Sequence, residues 1–231
     1  MRTIISILFL AALGWFGYWF IGSTAHEKAA TLWLEDRRSK GWVADYTDLI
    51  VEGFPNRFDT TISDMELVNP RSGWAWKAPF FQVLSLSYKP NHFIAVWPNE
   101  QTVSTPHQKF TITSSDMRGS LVFEANSSLE LDRSTITLKN LKVSTSDNQS
   151  SSIESAVLAS RQSETKDFAH DIAFDANNFV PSAAIKKWLD PKSILPSAFE
   201  TLVIKTTAGF DAPWDRFHRA STSTRHFHQW L

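Results

Sequence analysis

The stretch WAWKAPFFQVLSLSYKPNHFIAVWPN, residues 74–99, decides the fold. Trp74 and Trp76 lie two apart, so on a strand they share a face, with Lys77 pointing the other way. Ala78-Pro79 reads as a break. Phe81 and Val83 then alternate with Gln82, and Leu84, Leu86 and Tyr88 alternate with Ser85 and Ser87. The phase shift near Val83-Leu84 predicts a bulge or a stretch covered on both sides. Lys89-Pro90-Asn91 reads as a turn, and residues 93–97 form a strand closed by Pro98-Asn99.

The same two-residue period extends in both directions. Upstream, VADYTDLIV (43–51) reads as a strand and Phe54-Pro55-Asn56 as a turn. Phe58, Thr60 and Ile62 alternate with Asp59, Thr61 and Ser63, and Asn69 to Gly73 is a turn signal. Downstream the pattern continues through Phe110 and Ile112, Leu121 and Phe123, Leu129 and Leu131, Ile136 and Leu138, then Leu141 and Val143. The pairs Asp132-Arg133 and Lys139-Asn140 read as turns between short strands. Residues 144–152 are Ser-rich and polar, a hairpin tip. Ile172, Phe174 and Ala176 make a further strand, and Leu202 to Ala208 close the series. Between them Val180-Pro181-Ser182 caps a short helix through Trp188-Leu189, ended by Asp190-Pro191. Strands spaced roughly 8–12 residues apart with turns between them predict an antiparallel, mainly β architecture. One face is apolar and the other wet, which a curved open sheet and a sandwich satisfy equally.

The N-terminus has a different character. Residues 4–21, IISILFLAALGWFGYWFI, carry no charge, and at about 1.5 Å per residue they approach the hydrocarbon thickness of a bilayer. Trp15, Phe16, Tyr18, Trp19 and Phe20 suit an interfacial belt at the outgoing end. The length favours a membrane anchor over a cleaved signal peptide, although Ser23-Thr24-Ala25 has the small residues of a cleavage site. Arg2 and a two-residue tail favour translocation of everything that follows, hence an inner-membrane, single-pass protein with a periplasmic bulk. Residues 24–40 are helix formers, with Thr24 and Glu27 spaced as a capping box and Gly41 as a stop. The expected organisation is therefore an anchor at 1–22, a helical stalk at 23–41, an antiparallel β domain at 42–216 and an irregular tail at 217–231.

Composition removes several function classes. Lys and Arg number 23 against 24 Asp and Glu, so nucleic-acid binding by bulk charge is excluded. With no cysteine there is no disulfide framework, thiolate metal site or cysteine nucleophile. No phosphate-binding loop, nucleophile elbow, HExxH or EF-hand loop is present. The expectation is a non-enzyme without cofactor or metal. His226 and His228, with His218 upstream, resemble a metal pair but sit in the aperiodic tail. A periplasmic hydrolase would need His92 beside a carboxylate, and Asp45 with Asp48, or Asp59 with Asp64, are possible carboxylate pairs; solvated strand faces account for them more simply. Arg57 is expected to pair with a nearby carboxylate, or alternatively to recognise a lipid phosphate or a peptidoglycan carboxylate. The aromatics Trp74, Trp76, Phe80, Phe81 and Trp97 are expected to fill a closed core; an apolar ligand groove is the alternative.

Several blocks taken together carry a family resemblance: residues 32–42 (LWLEDRRSKGW), 43–67, 74–106, 115–123 (SDMRGSLVF) and 209–216 (GFDAPWDR). GFPNRFD, APFFQ, SYKPNH and VWP are the most specific of them. The set resembles the alphaproteobacterial family called domain of unknown function 2125. The resemblance implies a cell-envelope protein with an N-terminal membrane segment, and no activity. It also implies further strands past residue 216, where this chain runs into FHRASTSTRHFHQWL; a truncation or shifted reading frame, leaving an exposed sheet edge, is the expectation. On architecture alone there is a more distant likeness to envelope proteins that carry lipids along a long curved β-sheet. The partners expected are inner-membrane lipids and a lipid ligand or an envelope protein, and the roles expected are lipid handling, envelope maintenance or protein scaffolding.

Overall fold

The computed structural model describes residues 1–213. It opens with one unbroken helix, α1 (Arg2–Ser39). No proline interrupts it, and no change of conformation marks residue 22. Thr24 does not cap a new helix; its Oγ1 donates to the Phe20 carbonyl at 3.0 Å, inside the same helix. The helix stops where Gly41 takes φ +82°, with Arg37 and Arg38 in the last turn beside the carbonyl end of the dipole.

Twelve strands follow: β1 (Val43–Asp45), β2 (Asp48–Glu52), β3 (Arg57–Asn69), β4 (Trp74–Leu86), β5 (Lys89–Val96), β6 (Glu100–Ser104), β7 (Lys109–Thr113), β8 (Asp116–Phe123), β9 (Leu131–Thr145), β10 (Ser150–Gln162), β11 (Ala169–Phe179) and β12 (Phe199–Gly209). A short helix, α2 (Ala183–Leu189), lies between the last two and is capped by Ser182, whose side chain accepts from the Ile185 amide. All the strands join one sheet in the order β1-β3-β4-β5-β8-β9-β10-β11-β12. β2 continues the row of β1 along β3, β6 continues the row of β5 along β4, and β7 continues the row of β8 along β9. The result is an antiparallel meander. It is a single sheet, so of the two expected architectures the sandwich does not form among the described residues.

One position in each long row leaves the ladder, and these positions line up across the sheet. They are the gap at Tyr46-Thr47, Asp64 opposite Pro79, the gap at 97–99, Ser114-Ser115, Asn140 opposite Glu154, and Asn178. Asp64, Asn140 and Asn178 have φ between +49° and +51°, a region that short polar side chains tolerate best after glycine. Side chains tie the crease together. Thr47 donates to Asp64 at 2.9 Å, Asn140 to Ser115 at 3.0 Å, and Asn178 to Glu154. Breaks of this kind bend a strand and raise its twist, so a line of them curves the whole sheet. They also account for three differences from the sequence pattern. Pro79 lies within β4 rather than ending it, because at the crease its missing N–H is not needed. Lys139-Asn140 lies inside the fifteen-residue β9 rather than in a turn, and Asp132-Arg133 lies there too, away from the crease and beside the register shift between Val122 and Phe123. The phase of β4 changes between Ala78 and Phe81, not at Val83-Leu84.

Opposed residues of an antiparallel pair share a face, so the register carries one apolar row from strand to strand. Val83 opposes Ala95, Ala95 opposes Gly119, Gly119 opposes Ile136, Ile136 opposes Leu158, Leu158 opposes Phe174 and Phe174 opposes Ile204. The adjacent row on the other face is mixed, running Asp59, Leu84, Ile94, Ser120, Thr135, Ala159, Ala173, Lys205.

Among the described residues α1 alone packs on the apolar face, against β1, β2 and β3. There Leu34, Ala44, Ile62 and Met65 form a buried cluster. Beyond it the face is uncovered among the described residues. On β10 to β12 the buried apolar residues are small or at the rim, Ala156, Ala169 and Ala176, whereas Leu158 and Ile204 are exposed and Ile153, Ile172, Phe174 and Leu202 half-buried. The closed core expected for the inward-facing aromatics is thus confined to the strip under α1. A single sheet with one helix at its edge has no second layer to close it.

Candidate functional site

The apolar face is hollow beside the C-terminal half of α1. A cavity of about 480 Å³ opens there between the helix, through Ala30 and Trp33, and β3 and β4, through Ile62, Met65, Leu67, Trp76, Phe81 and Val83, with Trp97 at its far wall. The side chains come together because of the crease. Leu67 opposes Trp76 and Ile62 opposes Phe81, one pair on each side of the Asp64–Pro79 break, so both pairs turn toward the same hollow. Trp76 meets Phe81 edge to face at 5.6 Å between centroids, and Phe81 meets Trp97 at 5.5 Å. The Trp76 indole N–H donates to Gln101 Oε1 at 2.7 Å, and Gln101 in turn donates to the Met117 sulfur at 3.6 Å. Gln101 is buried, so this small polar chain satisfies the indole without wetting the cavity. Trp97 lies over Gly119, where an added Cβ would stand 3.1 Å from the indole ring, so a larger residue there would push the ring outward by a few tenths of an ångström.

Of the aromatics singled out in the sequence, three meet here: Trp76, Phe81 and Trp97. Trp74 shares the face of Trp76 but sits at the end of β4, 54% exposed. Phe80 opposes Ser63 and so lies on the other face, because the crease reverses the phase. Arg57 also lies on that other face. Its guanidinium pairs with Asp59 two residues on, through Nε at 3.1 Å and through a second, shorter contact from Nη2. That partner holds its pKa above the ordinary arginine value. Arg57 and His92 border a small hollow of about 200 Å³ with Leu84, Leu86 and Ile94, away from the aromatic cavity. Residues the sequence pattern did not single out, Trp33, Met65, Gln101 and Gly119, complete the site. Their signal was weak: Gln101 and Gly119 gain a role only from what lies across the sheet.

The chemistry-bearing candidates lie apart from one another. His92 Nε2 shares a 2.8 Å hydrogen bond with the Ser120 hydroxyl, not with a carboxylate. Asp45 lies 4.0 Å from Arg38, Asp48 accepts from the Leu49 amide, Asp59 pairs with Arg57 and Asp64 accepts from Thr47, so each of the four carboxylates has a partner of its own. No group of three or more metal-ligating side chains occurs among the described residues. His218, His226 and His228, and the boundary proposed at residue 216, lie outside them. His170 is buried on the apolar side of β11, 3.0 Å from the Ser160 hydroxyl, and burial pushes its pKa below the usual imidazole value despite Asp132 and Asp171 nearby.

A second set of contacts fastens α1 to one end of the sheet. Trp15 Nε1 donates to the Pro55 carbonyl at 2.9 Å, Tyr18 to the Ser87 carbonyl at 2.6 Å and Trp19 Nε1 to the Arg57 carbonyl at 2.8 Å. Phe54 packs edge-on against Phe16 and Trp19, and His26 stacks on Phe58 at 4.5 Å. The closeness of this docking is set by Gly22, whose Cβ, if it had one, would fall 2.3 Å from the Phe58 ring. The segment expected to be a free stalk is therefore bound along β3, and the contact begins inside the apolar run.

In the comparison with protein families, residues 19–225 match the family described as an uncharacterized protein conserved in bacteria, DUF2125. The match covers every block on which the resemblance rested and reaches into the aperiodic tail. No curated protein and no solved structure matches the chain.

Proposed function

We propose, for a chain that belongs to the DUF2125 family, that it is a membrane-anchored envelope protein which holds the acyl chains of a lipid on the apolar face of its sheet. The observation that carries this reading is the apolar row from Val83 to Ile204, which starts at the aromatic cavity under α1 and, past the buried Gly119, has no covering layer among the described residues. Soluble monomers rarely leave so extended an apolar surface to water. A flexible hydrocarbon chain matches it chemically, since each methylene removed from water contributes about 0.8 kcal/mol and no polar partner is required. The helix α1 is long and apolar enough to cross a membrane, which supplies a source of such chains. Arg2, ahead of the uncharged run, supports placement of the sheet in the periplasm.

Native mass spectrometry of the full chain, extracted gently from membranes, tests this. Phospholipid retained on the protein, and lost from a Phe81→Glu variant that still folds, is the expected result. Protein free of lipid, with the face covered by a stoichiometric protein partner, overturns it. That second outcome describes a scaffold, a reading supported by β12, which pairs with β11 on one side only among the described residues.

A further inference from the structure

We infer that the end of the sheet held by α1 is a bilayer-docking surface, whose four turns rest in the headgroup region of the membrane that α1 crosses. The inference rests on the reading of α1 as a membrane span and not on lipid binding by the sheet face.

The register defines this end. Arg57 opposes Leu86, Leu86 opposes Lys89, Phe123 opposes Leu131, Arg161 opposes Arg133, and Ala169 opposes Gly209. The turns 53–56, 87–88, 124–130 and 163–168 therefore lie on one rim. Each carries a large apolar side chain left in the open: Phe54 at 53%, Tyr88 at 61%, Leu129 at 37% and Phe168 at 52% exposed. The hairpin turns of the opposite rim, 70–73, 105–108 and 146–149, contain only Pro, Gly and polar residues. Turn residues on a soluble domain have no reason to divide in this way.

The helix supplies the second observation. Its contacts with the rim begin at Trp15. The thirteen residues before it, 2–14, span about 20 Å at 1.5 Å each, well short of a hydrocarbon core of about 30 Å. The crossing is completed only by residues 15–21, which are already bound to Pro55, Arg57 and Ser87. The rim must then descend into the interfacial layer, where Trp and Tyr side chains are best accommodated. Phe54, in ring contact with Phe16 and Trp19 of the apolar run, is the point at which the two surfaces join. The connection 180–198, at the opposite end about 40 Å away along thirteen-residue strands, also exposes Val180, Ile185, Trp188, Leu189, Ile194 and Leu195, so the contrast holds between hairpin turns and it is the contact with α1 that selects this rim.

Because the chain has no cysteine, single-cysteine variants can be labelled with an environment-sensitive fluorophore without further engineering. Full-length protein carrying Phe54→Cys, Tyr88→Cys, Leu129→Cys or Phe168→Cys is reconstituted in phosphatidylethanolamine–phosphatidylglycerol vesicles, beside His107→Cys and Trp188→Cys from the far end and Leu10→Cys from the helix. All four rim labels are expected to emit at shorter wavelength and to lose most of their emission to a headgroup nitroxide, whereas His107 and Trp188 labels do neither. Rim labels that behave like the far-end ones, while the Leu10 label is quenched by an acyl-chain nitroxide, overturn the docking and leave the span intact. An unquenched Leu10 label overturns the span, and the docking with it.

Discussion

At the scale of single residues, Trp76 shows how an aromatic can be structural without belonging to a closed core. One side of its indole packs on Phe81 and Leu67, and its N–H is spent on Gln101. Truncating a fully buried aromatic costs about 3–5 kcal/mol. Trp76 is only partly buried, so the larger part of the loss comes from leaving the buried Gln101 oxygen unpaired, roughly 1–3 kcal/mol. Trp76→Ala is expected to lower the unfolding free energy read from urea titration by that amount, short of unfolding the protein, and to reduce retained lipid in the same preparation. His170 gives a pH dependence of definite sign. Its folded pKa is depressed below 6.5 by burial, so the unfolded chain binds the proton first. Its contribution is complete above about pH 6.5 and declines as the pH falls through the interval down to the folded value. Denaturation midpoints taken across that interval are expected to fall toward acid, and to fall less steeply in His170→Gln; an unchanged slope removes the assignment.

At the scale of elements, the crease is the main determinant of shape. It depends on residues that accept positive φ where a strand otherwise runs straight. Asn140 is the clearest, at φ +49° and bonded to Ser115. A β-branched side chain there is strained by roughly 1–2 kcal/mol, and the Ser115 hydrogen bond is lost as well. Asn140→Val is therefore expected to cost roughly 2 kcal/mol or more in thermal or urea unfolding, while Asn140→Gly costs only the hydrogen bond. Equal stability of the two variants would mean that the backbone conformation is not what matters. Strand periodicity was plain in the sequence at this scale, and so was the Ser182 cap of α2. The continuity of β4 and β9 was not, because Pro79, Asn140 and their like carry the same local signal whether a chain turns back or merely creases. Which of the two occurs depends on whether the next strand still has its partner, a fact about neighbours up to some 25 residues distant.

At the scale of the whole molecule, the alternation of apolar and polar residues, the charge-free run at 4–21 and the absence of cysteine were sufficient to foretell an antiparallel β protein with an N-terminal helix able to span a membrane. These are properties of period, length and composition, and each acts within a few residues of itself. The family could also be recognised from short blocks. What period cannot express is whether an apolar face meets a second layer. A strand buried in a sandwich and a strand facing an open trough have the same alternation, since both need one dry side. The choice was made by the number of layers: one sheet, one helix along its edge over β1 to β4, and no helix or strand over β5 to β12 among the described residues. The same holds for Phe80, which local pattern grouped with the aromatics and which the phase change at Asp64 and Pro79 sends to the other face. Helix propensity likewise predicts a helix from 24 to 40, but not that it lies against β3 instead of standing free. That outcome follows from Gly22 admitting Phe58 and from three carbonyls placed to receive Trp15, Tyr18 and Trp19, contacts between residues 36 to 69 apart in the chain.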